Sequence, residues 1–218
     1  MHDHEYDADL SLRTHTRPFA QEKQIIFSAL DCALNGEKAV YASSELTTGW
    51  RAYELLERHG VDSVQALRAA LGDDPHRSQL LDRNIEEAAH FAARVRERLG
   101  RAEMVVTPAP FAAPGWTQAE YLDFWEELIR TRASAVWFNE AWEYSNGCTF
   151  EFCVARRQGV PTFDALGREL TLERGIALVE GAVARLTARG IAPGRLPRQL
   201  ERLRALRNES ATAGVRTE

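Results

Sequence analysis

The feature that most constrains the fold is a repeated alternation of short apolar runs with amphipathic helical segments. Each apolar run is short and is followed by a turn or a polar loop, which indicates a buried strand rather than a helix. These runs cover 39–42, 104–108, 133–138 and 160–163. Strands that alternate with helices favour a parallel sheet covered by helices on both faces. We therefore expect a three-layer α/β fold whose mostly parallel sheet has about four or five strands.

Helical patterns separate the predicted strands. Residues Asn84–Gly100 place their apolar side chains on one face and end in glycine, which predicts an amphipathic helix packed on the sheet. Thr117 and Glu120 have the spacing of a capping box, which predicts a helix that runs to about Arg132. In such a fold, ligands bind at the carboxyl ends of the strands. Candidate functional residues are therefore expected in the loops that follow them.

These elements divide the chain into three parts. Residues 1–36 form an N-terminal tail and a helix, and residues 37–190 form the α/β domain, with a helical insertion at about 50–82. Residues 191–218 are expected to form a C-terminal helix, packed on the body or on a partner subunit, followed by disorder past Arg207.

Composition narrows the classes of partner. The 218 residues include 27 basic and 32 acidic side chains, for a net charge of −5, so no basic surface for nucleic acid is expected. The longest uncharged stretch, around Met104 to Thr117, contains three prolines and cannot span a bilayer. Three cysteines without CxxC spacing and an acidic N-terminus without a signal pattern favour a cytoplasmic protein. A small-molecule ligand, with no nucleic acid and no membrane, is the expected partner.

The most informative segment is the junction between the third strand and the following helix. Ser145, Asn146 and Gly147 come directly before the predicted helix, where unpaired backbone N–H groups accept a phosphate. Glu151 then falls in or near the first helical turn, where the helix dipole keeps its carboxylate ionised. An ionised carboxylate beside an anion site suits a nucleophile. An ordinary surface loop with a glutamate that only complements the dipole fits this segment equally well.

The segment Ser145–Ala155, followed by Gln158–Pro161, resembles the S/D-x-G…E-x-x-x-A…G-x-P signature of the nucleoside 2-deoxyribosyltransferase superfamily, which includes nucleoside monophosphate N-glycosidases. Tyr41–Ser44 occupies the place of the first-strand loop of the family. Asp123–Glu127 occupies the place of its acidic helix. The chain departs from the pattern at Ser43-Ser44, where the family has Gly-Ser, and at Ser134, where the family has an acid.

The resemblance implies a flavodoxin-like or Rossmann-like fold and the breaking of an N-glycosidic bond, without a metal or other cofactor. Glu151 falls on the position of the catalytic nucleophile, which attacks the anomeric carbon. A second acid would protonate or orient the departing base, with Asp123 as first candidate and Glu126 as second. Ser145 stands where monophosphate N-glycosidases have a serine and the transferases have an aspartate. A hydroxyl donates to phosphate, whereas a carboxylate repels it, so a nucleoside 5′-monophosphate is the expected substrate.

Further side chains are expected to bind substrate. Tyr41, Ser43 and Ser44 lie in the first-strand loop, although polar residues there often only close a turn. Trp116 follows the second strand, where its ring is placed to stack on a base, with core packing as the alternative.

Three functions remain open. The first is a hydrolase that releases the base and (deoxy)ribose 5-phosphate from a nucleoside 5′-monophosphate. The second is a transferase that exchanges bases, and the third is a non-catalytic nucleotide-binding module, which the serines at 43, 44 and 134 motivate. The resemblance also implies a homodimer or a larger homo-oligomer.

Overall fold

The computed structural model describes residues 18–100, 103–109, 111, 113 and 115–215, with side chains described as far as residue 209. Its sheet has four strands, all parallel, in the order β2-β1-β3-β4. The strands are β1 (Ala39–Ser43), β2 (Val105–Val106), β3 (Ala133–Phe138) and β4 (Thr162–Phe163). The predicted parallel α/β architecture is confirmed, and the sheet is of the Rossmann-like type. The predicted tail at 1–17 lies outside the described residues.

Helices connect the strands and cover both faces of the sheet. In chain order they are α1 (Phe19–Leu34), α2 (Trp50–His59), α3 (Val64–Leu71), α4 (Asp73–His76), α5 (Asp82–Leu99), α6 (Gln118–Arg132), α7 (Asn146–Arg157), α8 (Leu172–Ala188) and α9 (Leu196–Val215). A π-helical turn, Arg77–Leu81, joins α4 to α5, and a 3₁₀ turn, Trp142–Tyr144, precedes α7. The capping box at the start of α6 is present, because Thr117 and Glu120 each bind the backbone N–H of the other.

The central strands bury side chains on both faces, with the alternation that a pleated strand requires. On one face, Tyr41 and Val136 pack among aromatic and aliphatic residues of α6 and α7. On the other face, Val40 and Trp137 pack with Phe91 of α5 and its neighbours. The result is a continuous core on each side of β1 and β3, and this core fixes where their carboxyl ends lie.

The insertion between β1 and α5 packs against the rest of the α/β domain. Its buried side chains form a second cluster with the ends of α8 and α9, made up of Tyr53, Leu55, Leu56, Leu67, Leu80, Leu186 and Leu196, among others. The predicted helical character of 50–82 is confirmed.

Both terminal helices pack on the rest of the chain. Phe27 of α1 stacks on Phe124 of α6, and α9 contacts α7 and α8 through buried Leu200 and Leu203. Helix α9 continues past Arg207, where we expected disorder, as far as Val215. The reason is that the residues following Arg207 include no proline, and alanines among them favour continuation of the helix. Among the described residues, no helix combines the length and the apolar character that a membrane crossing demands.

The contact between α7 and α8 provides a test of packing. A methyl group at Gly175 of α8 would overlap the ring of Phe152, which is fully buried. We expect Gly175→Ala to lower the free energy of unfolding by about 1–3 kcal/mol, measured by urea denaturation. Gly181→Ala, in the same helix, meets only the end of the Arg185 side chain at 3.4 Å and should stabilise by up to about 1 kcal/mol. Equal effects of the two substitutions would contradict this packing.

Candidate active site

The carboxyl ends of the two central strands lie side by side. Ser43, the last residue of β1, is in register with Phe138, the last residue of β3. The backbone N–H of Asn139 donates to the carbonyl of Ser43 at 3.1 Å, which holds the two following loops together. The loop after β3 leads through the 3₁₀ turn into α7, so the first turns of α7 pack beside the end of β1.

Glu151 projects from α7 into this junction. It is 5% exposed, and both of its carboxyl oxygens accept hydrogen bonds from β1. The Tyr41 hydroxyl donates to Oε1 at 2.9 Å, and the Ser43 hydroxyl donates to Oε2 at 2.6 Å. Three of the residues predicted from the sequence are therefore brought together in a buried cluster.

The ionisation of Glu151 differs from the sequence-based expectation. Helix α7 begins at Asn146, so Glu151 is its sixth residue and lies beyond the first turn, where the helix dipole is strongest. Burial raises the pKa of Glu151 to about 7, although the hydrogen bonds from Ser43 and Tyr41 act in the opposite direction. Burial also raises the pKa of Tyr41 well above its usual value, and the charge of Glu151 adds to this effect, so the phenol remains a donor.

The N-terminus of α7 is closed by hydroxyl groups of the chain itself. The Ser145 side chain accepts from the N–H of Cys148 at 3.3 Å, as an N-cap residue does. The N–H of Asn146 donates to Oγ1 of Thr48 at 3.1 Å, and this oxygen lies 3.4 Å from Oγ of Ser145. The N–H of Ser145 itself donates to the carbonyl of Trp142 at 2.9 Å. Of the three residues expected to offer N–H groups to an anion, Ser145 and Asn146 therefore have theirs already paired. A side-chain carbon at Gly147 would lie 3.8 Å from Oγ of Ser145, in ordinary van der Waals contact.

Asn146 has a second role, because its side-chain oxygen accepts from the N–H of Arg195 at 3.1 Å and so ties the start of α7 to the segment before α9. Ser44, by contrast, is buried, and its hydroxyl has no hydrogen-bond partner among the described residues.

The structure does not bring the two predicted second acids to Glu151. Asp123 binds Lys23 of α1 at 2.5 Å, and Glu126 binds Arg157 of α7. The reason is the orientation of α6, which buries Phe124 and other apolar residues against the core and leaves these acids at the surface. Although one helical turn apart, the two carboxylates contact different partners.

Trp116 also lies away from Glu151. Its indole N–H donates to Glu22 of α1 at 2.6 Å. Its ring packs against other aromatic side chains, namely Phe19, Phe111, Tyr121 and Phe124. These contacts correspond to the core-packing alternative for this residue.

The sequence-based reasoning missed Glu45, which lies in the loop after β1. Its side chain is buried, and Oε2 accepts from the N–H of Trp50 at 3.3 Å. Burial raises its pKa to about 7. The available signal was an acid three residues beyond the end of a predicted strand, followed by Gly49 at the start of a helix.

Glu45 faces a cavity of about 410 Å³, here called the β1–β3 cavity. Its wall comes from the loops after β1 and β3 and from α2 and α5, and consists of Glu45, Trp50, Arg51, Glu54, Glu87, His90, Arg94, Asn139, Glu140 and Ala141. Glu151 does not line this cavity. The volume falls within the range typical of small-molecule sites, about 300–1,000 Å³.

Cys148 is a side chain whose thiol is affected by the charges of both buried carboxyl groups. It is buried, and desolvation raises the pKa of its thiol, with further contributions from the charges of Glu151 and Glu45. Both carboxyl groups are therefore close enough to act on one side chain. Among the described residues, no group of three or more His, Cys, Asp or Glu side chains is arranged to hold a metal ion.

Comparison of the chain with protein-family models, curated proteins and solved structures finds no match. The likeness to the nucleoside 2-deoxyribosyltransferase superfamily therefore stays a prediction from the motifs quoted above.

The hydrogen bond from Tyr41 to Glu151 predicts a pH-dependent effect. Tyr41→Phe removes a donor to a buried carboxyl group, and the loss is greater when that group is ionised. We expect the substitution to lower the free energy of unfolding by about 1.5–3 kcal/mol at pH 8 and by less at pH 5, measured by urea denaturation. Tyr121→Phe is the control, because within the described part of the chain its hydroxyl bonds only to the backbone of Ala113. Its effect should be the same at both pH values, and an equally pH-independent loss for Tyr41→Phe would contradict the assignment.

Proposed function

We propose that the protein hydrolyses the N-glycosidic bond of a nucleoside 5′-monophosphate and releases the free base and (deoxy)ribose 5-phosphate. The observation that carries this proposal is the buried Glu151 carboxyl group, whose two oxygens are oriented by the hydroxyls of Tyr41 and Ser43. Neither partner is a cation, so the carboxylate is not neutralised by an ion pair with them. A carboxylate held in this way is suited to attack an electrophilic carbon.

The proposed reaction has two steps, formation of a glycosyl ester on Glu151 and its hydrolysis. As the bond between C1′ and the base nitrogen breaks, positive charge develops on the sugar, and an oxygen of Glu151 forms a bond to C1′. The base leaves with a proton supplied by an acid. Water then attacks C1′ and gives a proton to the conjugate base of that acid, the ester bond to Glu151 breaks, and the carboxylate is regenerated as the sugar phosphate departs.

The carboxylate must be ionised to attack, which links the reaction to pH. With a pKa of about 7, part of Glu151 is neutral below neutral pH, so the attacking form increases as pH rises through this range. Since Glu151 is only 5% exposed, side chains around it must move for C1′ to reach its oxygens.

The preference for a 5′-phosphate rests on the start of α7. This helix has 12 residues, and the partial positive charge at its N-terminus favours an anion. Ser145 and Thr48 place two hydroxyls there, and their mutual contact of 3.4 Å is long for a hydrogen bond between hydroxyls. A phosphate that displaces this contact would gain two donors.

Activity on a panel of ribo- and deoxyribonucleoside 5′-monophosphates, with the matching nucleosides, tests the proposal through release of free base. We expect Glu151→Gln to lower kcat/KM on the best substrate by at least about 10³-fold, since the nucleophile is lost. Glu97→Gln, an exposed glutamate of α5, should remain within twofold of the unmodified protein. Circular dichroism verifies that each variant is folded.

Other outcomes would replace the proposal. Base exchange that requires a second base, without a requirement for phosphate, would indicate a transferase. Nucleotide binding without product over long incubation would indicate a non-catalytic binding module. Near-native activity of Glu151→Gln would contradict the assigned mechanism.

A further inference from the structure

The β1–β3 cavity and the cluster of Glu151 with Tyr41 and Ser43 both lie at the carboxyl end of β1. Ser43 binds Glu151 through its side chain, and its carbonyl accepts from the N–H of Asn139, a residue of the cavity wall. Glu45 is two residues beyond Ser43, so their Cα atoms are at most about 7.6 Å apart. Glu151 is thus enclosed beside β1 through Ser43, and Glu45, two residues farther along the same segment, lies on the cavity wall.

The backbone around Glu45 is adapted to its side chain. A side-chain carbon at Gly49 would overlap the carboxyl group of Glu45, and Gly49 has φ of 134°, a conformation that favours glycine. The Glu45 carboxyl group also accepts from the N–H of Trp50, the first residue of α2. The loop thus fixes the position of the Glu45 carboxyl group at the start of α2.

A purely structural role explains this arrangement poorly. Arg51, a cation near Glu45, instead binds Asn84 and Glu87. A buried carboxyl group without an ion pair costs free energy, and a smaller Ser, Thr or Asn would cap the helix without this cost. The carboxyl group therefore requires another explanation, and the open cavity beside it supplies one.

We propose that Glu45 is the acid that protonates the departing base, and that the base lies in the β1–β3 cavity during the reaction. This inference rests on the function proposed above and assigns the second acid that Asp123 and Glu126 do not provide. The Glu45 carboxyl group gives its proton to the base nitrogen as the C1′–N bond breaks. In the second step, the Glu45 carboxylate takes a proton from the water that attacks C1′.

The titration of Glu45 suits this role. Its pKa of about 7 leaves a large neutral fraction near neutral pH, whereas an exposed glutamate would be ionised. Burial is the main cause, and the N–H of Trp50 opposes it, with smaller contributions from Glu87, Arg51 and Glu143. The other titratable or charged groups nearby are Cys148 and, on the cavity wall, Glu54, His90, Arg94 and Glu140.

The test compares two substrates that differ in their need for a proton donor. One is the best nucleoside 5′-monophosphate, and the other is 4-nitrophenyl riboside 5-phosphate, whose leaving group departs as a stable anion. We expect Glu45→Gln to lower kcat on the nucleotide by at least about 100-fold and on the nitrophenyl substrate by less than tenfold. Glu37→Gln is the matched control, because Glu37 is an exposed glutamate two residues before β1, as Glu45 is two residues after it.

The pH profile of the unmodified protein provides a second readout that needs no variant. On the nucleotide, kcat/KM should be bell-shaped, since Glu151 must be ionised and Glu45 neutral. On the nitrophenyl substrate, the decline at high pH should be absent. The same profile on both substrates would overturn the inference.

The outcomes separate this inference from the proposed function. Equal losses on both substrates for Glu45→Gln, or no loss on either, would exclude Glu45 as the acid, while an inactive Glu151→Gln would leave the hydrolase proposal standing. Full activity of Glu151→Gln on both substrates would instead remove the proposed function, and the role of Glu45 with it. Selective loss on the nucleotide, with restoration by Glu45→Asp, would support the inference.

Discussion

The interaction on which the site depends is the pair of hydrogen bonds from Tyr41 and Ser43 to the carboxyl group of Glu151. An ionised carboxylate costs several kcal/mol to bury, and two neutral hydroxyls offset only part of that cost. The remaining cost is evident in the pKa of about 7. The same two contacts hold α7 against β1, so they orient the Glu151 carboxyl group and position the helix that carries it.

The end of β1 organises the rest of the site. Tyr41, Ser43 and Glu45 are every second residue along the end of β1 and the loop that follows it. Tyr41 and Ser43 bind Glu151, and Glu45 lies on the wall of the β1–β3 cavity. A parallel sheet places such residues at one edge, beside the loop that follows β3. The proposed chemistry divides accordingly, with attack on the sugar at the enclosed carboxyl group and proton transfer to the base at the cavity.

The sequence predicts the sheet and the central cluster because both depend on local patterns. Short apolar runs mark the strands, and the family resemblance of the motifs singles out Tyr41, Ser43, Ser145 and Glu151. The orientation of Asp123 could not be predicted, because it depends on how α6 packs against α1. Glu45 was missed because its position after the strand marks it only as an acid in a loop, whereas its burial depends on tertiary packing around the start of α2.

The central claim is that Glu151 becomes covalently attached to the sugar. Acid quenching during turnover, followed by proteolysis and mass spectrometry, measures this directly. The account predicts that the peptide carrying Glu151 gains the mass of the (deoxy)ribose phosphate lost from the nucleotide, and that this adduct disappears when the substrate is consumed. Turnover without an adduct on Glu151, or with the adduct on another residue, would contradict it.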